Sequence, residues 1–247
     1  AVETLKFFES LDMQIIEGYG MTETHLIITL TPAGKSRYGS CGKPINEVQV
    51  KIASDSEVLI KGPTVMAGYY KKPELTKETI DKDGWLHTGD IGHLDDDNYL
   101  YLTDRKKNIL ITSGGKNIAS APIENALKAS KYIDEVCLIG NNRKFISALI
   151  VPNYENLKKW AQKHNLDVPD NKKLVEHPEV KNFVWQEVER LQTDFARFEQ
   201  VKKIALLPEL LTIDKGELTP SLKVKRNAVE QNYKELIDTI YLSEHVI

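Results

Sequence analysis

The sequence predicts an α+β chain in two parts: a β-rich stretch over residues 1–103, the remainder of a larger domain, then a small α+β C-terminal domain over residues 104–247. Three observations carry this. Short apolar runs broken by turn residues fill the first hundred positions. After Asp104, helical periodicities alternate with short apolar strands. Hydrophobic residues make up 41% of the 247, enough to bury a core.

The elements follow in order. Residues 1–8 read as the middle of a helix, because Leu5 and Phe8 sit three apart with no cap before them. With no initiator methionine, this points to a piece of a longer protein. Residues 13–16 form an apolar run expected to be a strand feeding a loop. Residues 48–52 and 57–61 flank the polar Ser54-Asp55-Ser56, which is a hairpin pattern closed by Gly62-Pro63. Residues 94–97 are turn material, and 99–102 are a further strand.

In the second part, strand 109–112 leads to Gly114-Gly115. Residues 122–131 read as a helix with Pro122 at a first position and Ile123, Ala126 and Leu127 on one face. Residues 136–140 and 145–151 are buried strands around a turn at 140–143. Residues 154–164 form a short helix. The longest helical pattern runs 178–201 through Val180, Val184, Val188, Leu191, Phe195 and Phe198, with Phe183, Phe195 and Phe198 read as core. A last helix, 223–241, carries Ala228, Leu236, Ile237 and Ile240. The boundary falls at Asp104-Arg105-Lys106-Lys107.

Composition excludes several classes. With 33 Lys+Arg against 36 Asp+Glu, the net charge of −3 offers no basic field for nucleic acid. Cys41 and Cys137 cannot build a disulfide framework and read as inert reduced thiols of a cytoplasmic protein. No apolar run approaches the ~18 residues of a spanning helix, and no signal peptide opens the chain. His25, His164, His177 and His245 show no metal spacing. His87 and His93 read as structural or exposed. Arg143-Lys144 and Lys202-Lys203 read as solvated turns, with coenzyme A phosphates as the alternative.

Several motifs could carry chemistry. Gly18-Tyr19-Gly20-Met21-Thr22-Glu23-Thr24 puts two hydroxyls around a carboxylate in a glycine loop. Hydroxyls can donate to phosphate, and a carboxylate can hold Mg²⁺; an ordinary turn is the alternative. Asp90 follows Gly89, so it is expected exposed at a tight turn, free to accept from a ribose diol or to close an Asx-turn. Arg105 offers a planar fork for nucleotide oxygens, or is part of a solvated linker. Gly114-Gly115 could line a narrow channel. Lys223 lies just after the Pro220 turn, as a reactive lysine or a basic surface.

Together these stretches resemble the adenylate-forming superfamily of acyl-CoA synthetases, luciferases and adenylation domains, and within it the long-chain fatty-acid–CoA ligases. The resemblance rests on residues 17–24, on Lys61-Gly62-Pro63 through Gly68-Tyr69-Tyr70, and on Asp83-Gly84-Trp85-Leu86-His87-Thr88-Gly89-Asp90. Residues 104–109 and 113–118, the Pro122-Ile123-Glu124 run and residues 219–226 agree. It implies activation of a fatty acid by ATP and Mg²⁺ to an acyl-adenylate, then transfer to coenzyme A.

By the same resemblance Tyr19 packs on adenine beside Gly20, Thr22 meets the α-phosphate, and Glu23 is the Mg²⁺ ligand. Asp90 and Arg105 hold the ribose, and Lys223 bridges the substrate carboxylate and α-phosphate. Residues 104–107 are the hinge of a C-terminal lid, whose rotation removes Lys223 and brings Gly114-Gly115 to the pantetheine channel. The sequence departs from the family in having no upstream phosphate loop, so the chain alone is expected to be inactive. Leu222 stands where many relatives have glycine, which leaves Lys225 as a competitor for Lys223. An amino- or aryl-acid adenylation domain and a non-catalytic binding module are the alternative readings. A peripheral membrane contact suits a fatty-acid enzyme.

Overall fold

The computed structural model describes residues 2–242; Ala1 and His245 lie outside them. Contacts divide the chain into two compact units, Ala1–Lys107 and Asn108–Ile247. That division falls four residues beyond the expected boundary. Asp104 and Arg105 are committed to a strand of the first unit, where they pair with Ile91 and Asp90.

In the first unit, α1 covers Val2–Glu9. The apolar run at 13–16 forms no strand: Met13 and Ile16 are 54% and 50% exposed, and no neighbouring strand pairs with them. Instead β1 (Gly18–Tyr19), β2 (Thr29–Leu30) and β3 (Lys43–Pro44) make a small antiparallel sheet. The expected hairpin forms as β4 (Gln49–Ile52) and β5 (Glu57–Lys61), with Val50 opposite Ile60 and Ser56 left-handed in the turn. α2 (Pro73–Thr79) starts on its proline. β6 (Leu86–Leu94) and β7 (Leu100–Arg105) complete a four-stranded antiparallel sheet in the order β4-β5-β6-β7.

β6 was not expected, because its His87-Thr88-Gly89-Asp90 run carries no strand pattern. Its two neighbours recruit it, and Leu86 anchors it in a core of Ile28, Val48, Val58, Ile60 and Leu100.

In the second unit, β8 (Leu110–Ile111) and β9 (Asn117–Ile118) form a two-stranded ribbon. α3 spans Ser120–Leu127, starting two residues before and ending four before the expected bounds. Pro122 thus sits third in the helix, where its missing N–H is still one of the orphan donors. The central sheet pairs β10 (Ile133–Ile139) antiparallel to β11 (Ser147–Pro152), and β11 parallel to β12 (Lys203–Leu206).

Both faces of this sheet are covered, so Val136–Ile139 and Ala148–Val151 are apolar without alternation. Val136, Leu138, Ala148 and Ile150 face α3, α4 (Tyr154–Lys163), α5 (Asn171–Glu176) and α6 (Pro178–Leu191). The alternate residues Cys137, Ile139, Leu149 and Val151 meet Leu207, Leu211, α7 (Arg226–Asn232) and α8 (Lys234–Leu242). Burial pushes the Cys137 thiol up to about 12, and that of Cys41 upward too.

Several expectations change here. α6 ends at Leu191, not 201. The buried Gln192 caps it and accepts from Val201 N–H at 2.8 Å while donating to Val201 O at 3.2 Å, closing the intervening loop. Phe183 stacks on Trp160, but Phe198 is 46% exposed beneath the Lys116 ammonium rather than in the core. The last helix is two, broken at Tyr233, and begins at Arg226. Lys203 is no solvated turn: it is 5% exposed in β12, with its ammonium on Ile240 O at 3.1 Å. Arg143 pairs with Asp238 at 2.8 Å and lies over the Tyr241 ring.

Candidate functional site

The loop after β1 is built around a close backbone approach. A Cβ on Gly20 would stand 1.1 Å from Leu26 O, so only glycine lets the chain fold back on itself. Thr22–Thr24 forms one 3₁₀ turn, followed by left-handed His25 and Leu26. The buried Thr24 hydroxyl donates to Met21 O at 3.0 Å and accepts from Met21 N–H. These bonds leave Thr22 exposed at the surface. Glu23 is half-buried; its Oε1 accepts from Tyr69 Oη–H at 2.8 Å, and its backbone O accepts from Met66 N–H. Burial and this carboxylate push the Tyr69 phenol up, so it stays a donor.

Asp90 is not at an exposed turn. It lies within β6, 5% exposed. Its Oδ2 accepts from Tyr19 Oη–H at 2.5 Å, and its Oδ1 lies 3.0 Å from Arg105 Nε, across the register that pairs Asp90 with Arg105. The structure thus brings Tyr19, Asp90 and Arg105 together. Burial, then the bond to Asp90, hold the Tyr19 phenol far above its ordinary range. Arg105 is about half exposed, and its terminal nitrogens have no partner among the described residues.

Glu57 was missed from the sequence. It is 4% exposed and accepts from Gly89 N–H (2.9 Å), His87 Nδ1 (3.1 Å) and Lys106 Nζ (3.0 Å). Burial raises its carboxyl, but those three hydrogen bonds outweigh it, and the net position is below the usual range. The available signal was an acid opening the apolar strand run Val58-Leu59-Ile60.

The second unit holds the other candidates. Gly114 and Gly115 form the turn between β8 and β9, closed by Thr112 N–H to Lys116 O at 3.1 Å. Gly115 is left-handed at φ +74. Gly114 is not, and the nearest atom to a Cβ there is Thr112 Oγ1 at 4.0 Å. Among the described residues nothing requires glycine at 114; a bare backbone there leaves room for a ligand.

Lys223 follows a three-residue hairpin loop, Pro220-Ser221-Leu222, pinned by Thr219 N–H to Lys223 O (2.8 Å) and Leu222 N–H to Thr219 O (2.8 Å). Leu222 takes the left-handed position of that loop, φ 60, where glycine is the favoured residue. The Lys223 side chain is exposed and has no partner among the described residues. Lys225 caps α7, its N–H on Glu217 O at 2.7 Å.

Arg226 anchors this segment from below. It donates to Asn108 O (3.1 Å), Ser120 Oγ (2.6 Å) and Glu124 Oε1 (2.8 Å). Glu124 in turn accepts from Leu138 N–H at 2.9 Å, which is what the acid of the Pro122-Ile123-Glu124 run does. Among the described residues no three His, Cys, Asp or Glu side chains cluster as a metal site, and no helix is long and apolar enough to cross a membrane.

Comparisons with known proteins show the family of the chain. Residues 107–245 match the AMP-binding enzyme C-terminal domain, and residues 1–70 match the AMP-binding enzyme. The chain belongs to the AMP-binding enzyme family. It is 37% identical to human long-chain-fatty-acid–CoA ligase 1, over 94% of this chain and 35% of the relative. It is 34% identical to the Mycobacterium tuberculosis long-chain-fatty-acid–CoA ligase FadD15, over 96% of this chain and 40% of that one.

The adenylation domain of a carboxylic acid reductase from Segniliparus rugosus, solved with AMP and a co-purified carboxylic acid, superposes with a TM-score of 0.75 at 25% identity. That match covers 98% of this chain and 37% of the other. The chain thus spans well under half the length of the relatives it matches.

Proposed function

We propose that this chain is the C-terminal part of an ATP-dependent long-chain fatty-acid–CoA ligase, acting through an acyl-adenylate. The observation that carries the nucleotide half is the Tyr19–Asp90–Arg105 group. Asp90 is buried and its two oxygens are held by Tyr19 and Arg105, which fixes the carboxylate at the middle of β6. Arg105 keeps its terminal nitrogens for nucleotide oxygens. In this reading Asp90 and Arg105 hold the ribose, Tyr19 and Gly20 border the adenine, and Thr22 meets the α-phosphate.

Glu23 suits Mg²⁺ in kind, because Mg²⁺ is usually held by one or two carboxylates plus substrate phosphates and water. Glu23 presents such a single carboxylate, with one oxygen steadied by Tyr69. When bound, the ion would offset phosphate charge. Lys223, exposed behind a hairpin and unpaired among the described residues, is suited to bring substrate carboxylate and α-phosphate together by lowering their repulsion. Lys225, also exposed and with its N–H held by Glu217 O, is the competitor for this role.

Residues 104–107 act as the hinge. After adenylation, the second unit swings as a lid and presents the bare Gly114-Gly115 turn to the pantetheine of coenzyme A. The relatives' printed names support fatty acid and coenzyme A as substrates, and a cytoplasmic or peripheral membrane location suits that chemistry.

The test is ATP–pyrophosphate exchange by a longer protein that includes this chain, with this chain as control. Palmitate, benzoate and amino acids are offered. Exchange with palmitate that is lost on Lys223→Ala is the expected result. Exchange with aryl or amino acids only would move the protein to another branch. No exchange from a folded protein would leave a binding module.

A further inference from the structure

β5 and β6 do not pair evenly. Glu57 faces Ile91 and Leu59 faces His87, so β6 carries two more residues than β5 across this interval. The extra length is a bulge over 88–90, and it is what turns Asp90 toward Tyr19 and Arg105. A bulge strands ladder groups, and here side chains take them up. Thr88 Oγ1 donates to Val58 O at 2.7 Å, and Glu57 Oε1 accepts Gly89 N–H at 2.9 Å. The other oxygen of Glu57 accepts from Lys106 Nζ at 3.0 Å and from His87 Nδ1 at 3.1 Å. Lys106 also reaches the exposed Asp55 at 2.7 Å. One buried carboxylate therefore grips the residue before Asp90 and the residue after Arg105.

We infer that Glu57 is the positioning residue of the nucleotide site: it holds the β6 bulge and the end of β7 together, and so sets Asp90 against Arg105. The inference rests on the nucleotide reading of Asp90 and Arg105. Glutamine at 57 could still accept from Gly89, but its amide hydrogens would face the ammonium of Lys106, donor against donor.

The experiment has two arms. In the ligase that carries this sequence, Glu57→Gln raises the KM for ATP about tenfold and leaves kcat within about twofold, the loss of one charge-assisted contact. Lys106→Met, an exposed position that leaves the core intact, shifts KM in the same direction, and Asp55→Asn does not. Val58→Ala, which opens the adjacent core, lowers the melting temperature without moving KM. In this chain alone, hydrogen exchange on Glu57→Gln speeds up at residues 88–91 and 104–106 together.

Faster exchange in only one of those segments overturns the inference. So does ATP bound equally by wild type and Glu57→Gln, or a KM change matched by Val58→Ala. Absence of ATP binding in the wild type overturns the nucleotide reading on which it rests.

Discussion

Replacing Gly20 with alanine tests how the first candidate loop is built. The added Cβ would lie 1.1 Å from Leu26 O and 2.1 Å from its carbonyl carbon. A carbon and a carbonyl oxygen rest at roughly 3.3 Å, so the two strands of the loop must part by about 2 Å. The obstacle is backbone, and no side chain can rotate away. Parting them breaks Leu26 N–H to Met21 O (3.0 Å) and Ile28 N–H to Tyr19 O (2.8 Å).

Two such bonds contribute about 1 kcal/mol each, and the residual overpacking costs about 1–3 kcal/mol more. The total is about 3–5 kcal/mol, a drop on the order of 12 °C or more for a unit of this size. The assay is calorimetric or circular-dichroism melting of the Gly20→Ala chain. Gly34→Ala is the control: Gly34 is left-handed at φ +68, as Gly20 is not, but has nothing within 4 Å of its Cβ, so it costs only about 1–2 kcal/mol. A Gly20→Ala loss no larger than that of Gly34→Ala would refute the close-approach argument.

Three further outcomes follow from the same geometry. Leu222→Gly relieves a left-handed leucine at an exposed site and raises stability by roughly 0.5–1 kcal/mol, read by urea denaturation; a loss would show that Leu222 packs usefully. Arg226→Met leaves the half-buried Glu124 without its cation and costs about 2–3 kcal/mol, with part recovered in the Arg226→Met/Glu124→Gln double variant. The Glu57 carboxyl is held below its unfolded value, so its contribution is full above the unfolded pKa of about 4.3 and is lost as pH falls through the folded one. Urea midpoints measured from pH 7 to pH 3 should therefore fall less steeply in Glu57→Gln than in wild type.

Much of the layout is legible in the residues because it depends on local chemistry. The Ser54-Asp55-Ser56 turn forces the β4–β5 hairpin, and the apolar runs of β10 and β11 announce strands covered on both faces. The order of motifs from Tyr19 to Lys223 points to the family without any coordinates. What the residues alone leave open is where neighbours overrule local preference.

The polar run His87-Thr88-Gly89-Asp90 becomes strand because β5 and β7 offer it partners on both sides. α6 stops at Gln192 because that side chain satisfies both backbone groups of Val201, nine residues away. Glu57 matters only once folding sets it beside Gly89 and Lys106, positions 32 and 49 residues distant. A buried charge is worth what surrounds it, and those surroundings are assembled from parts of the chain that sequence spacing does not relate.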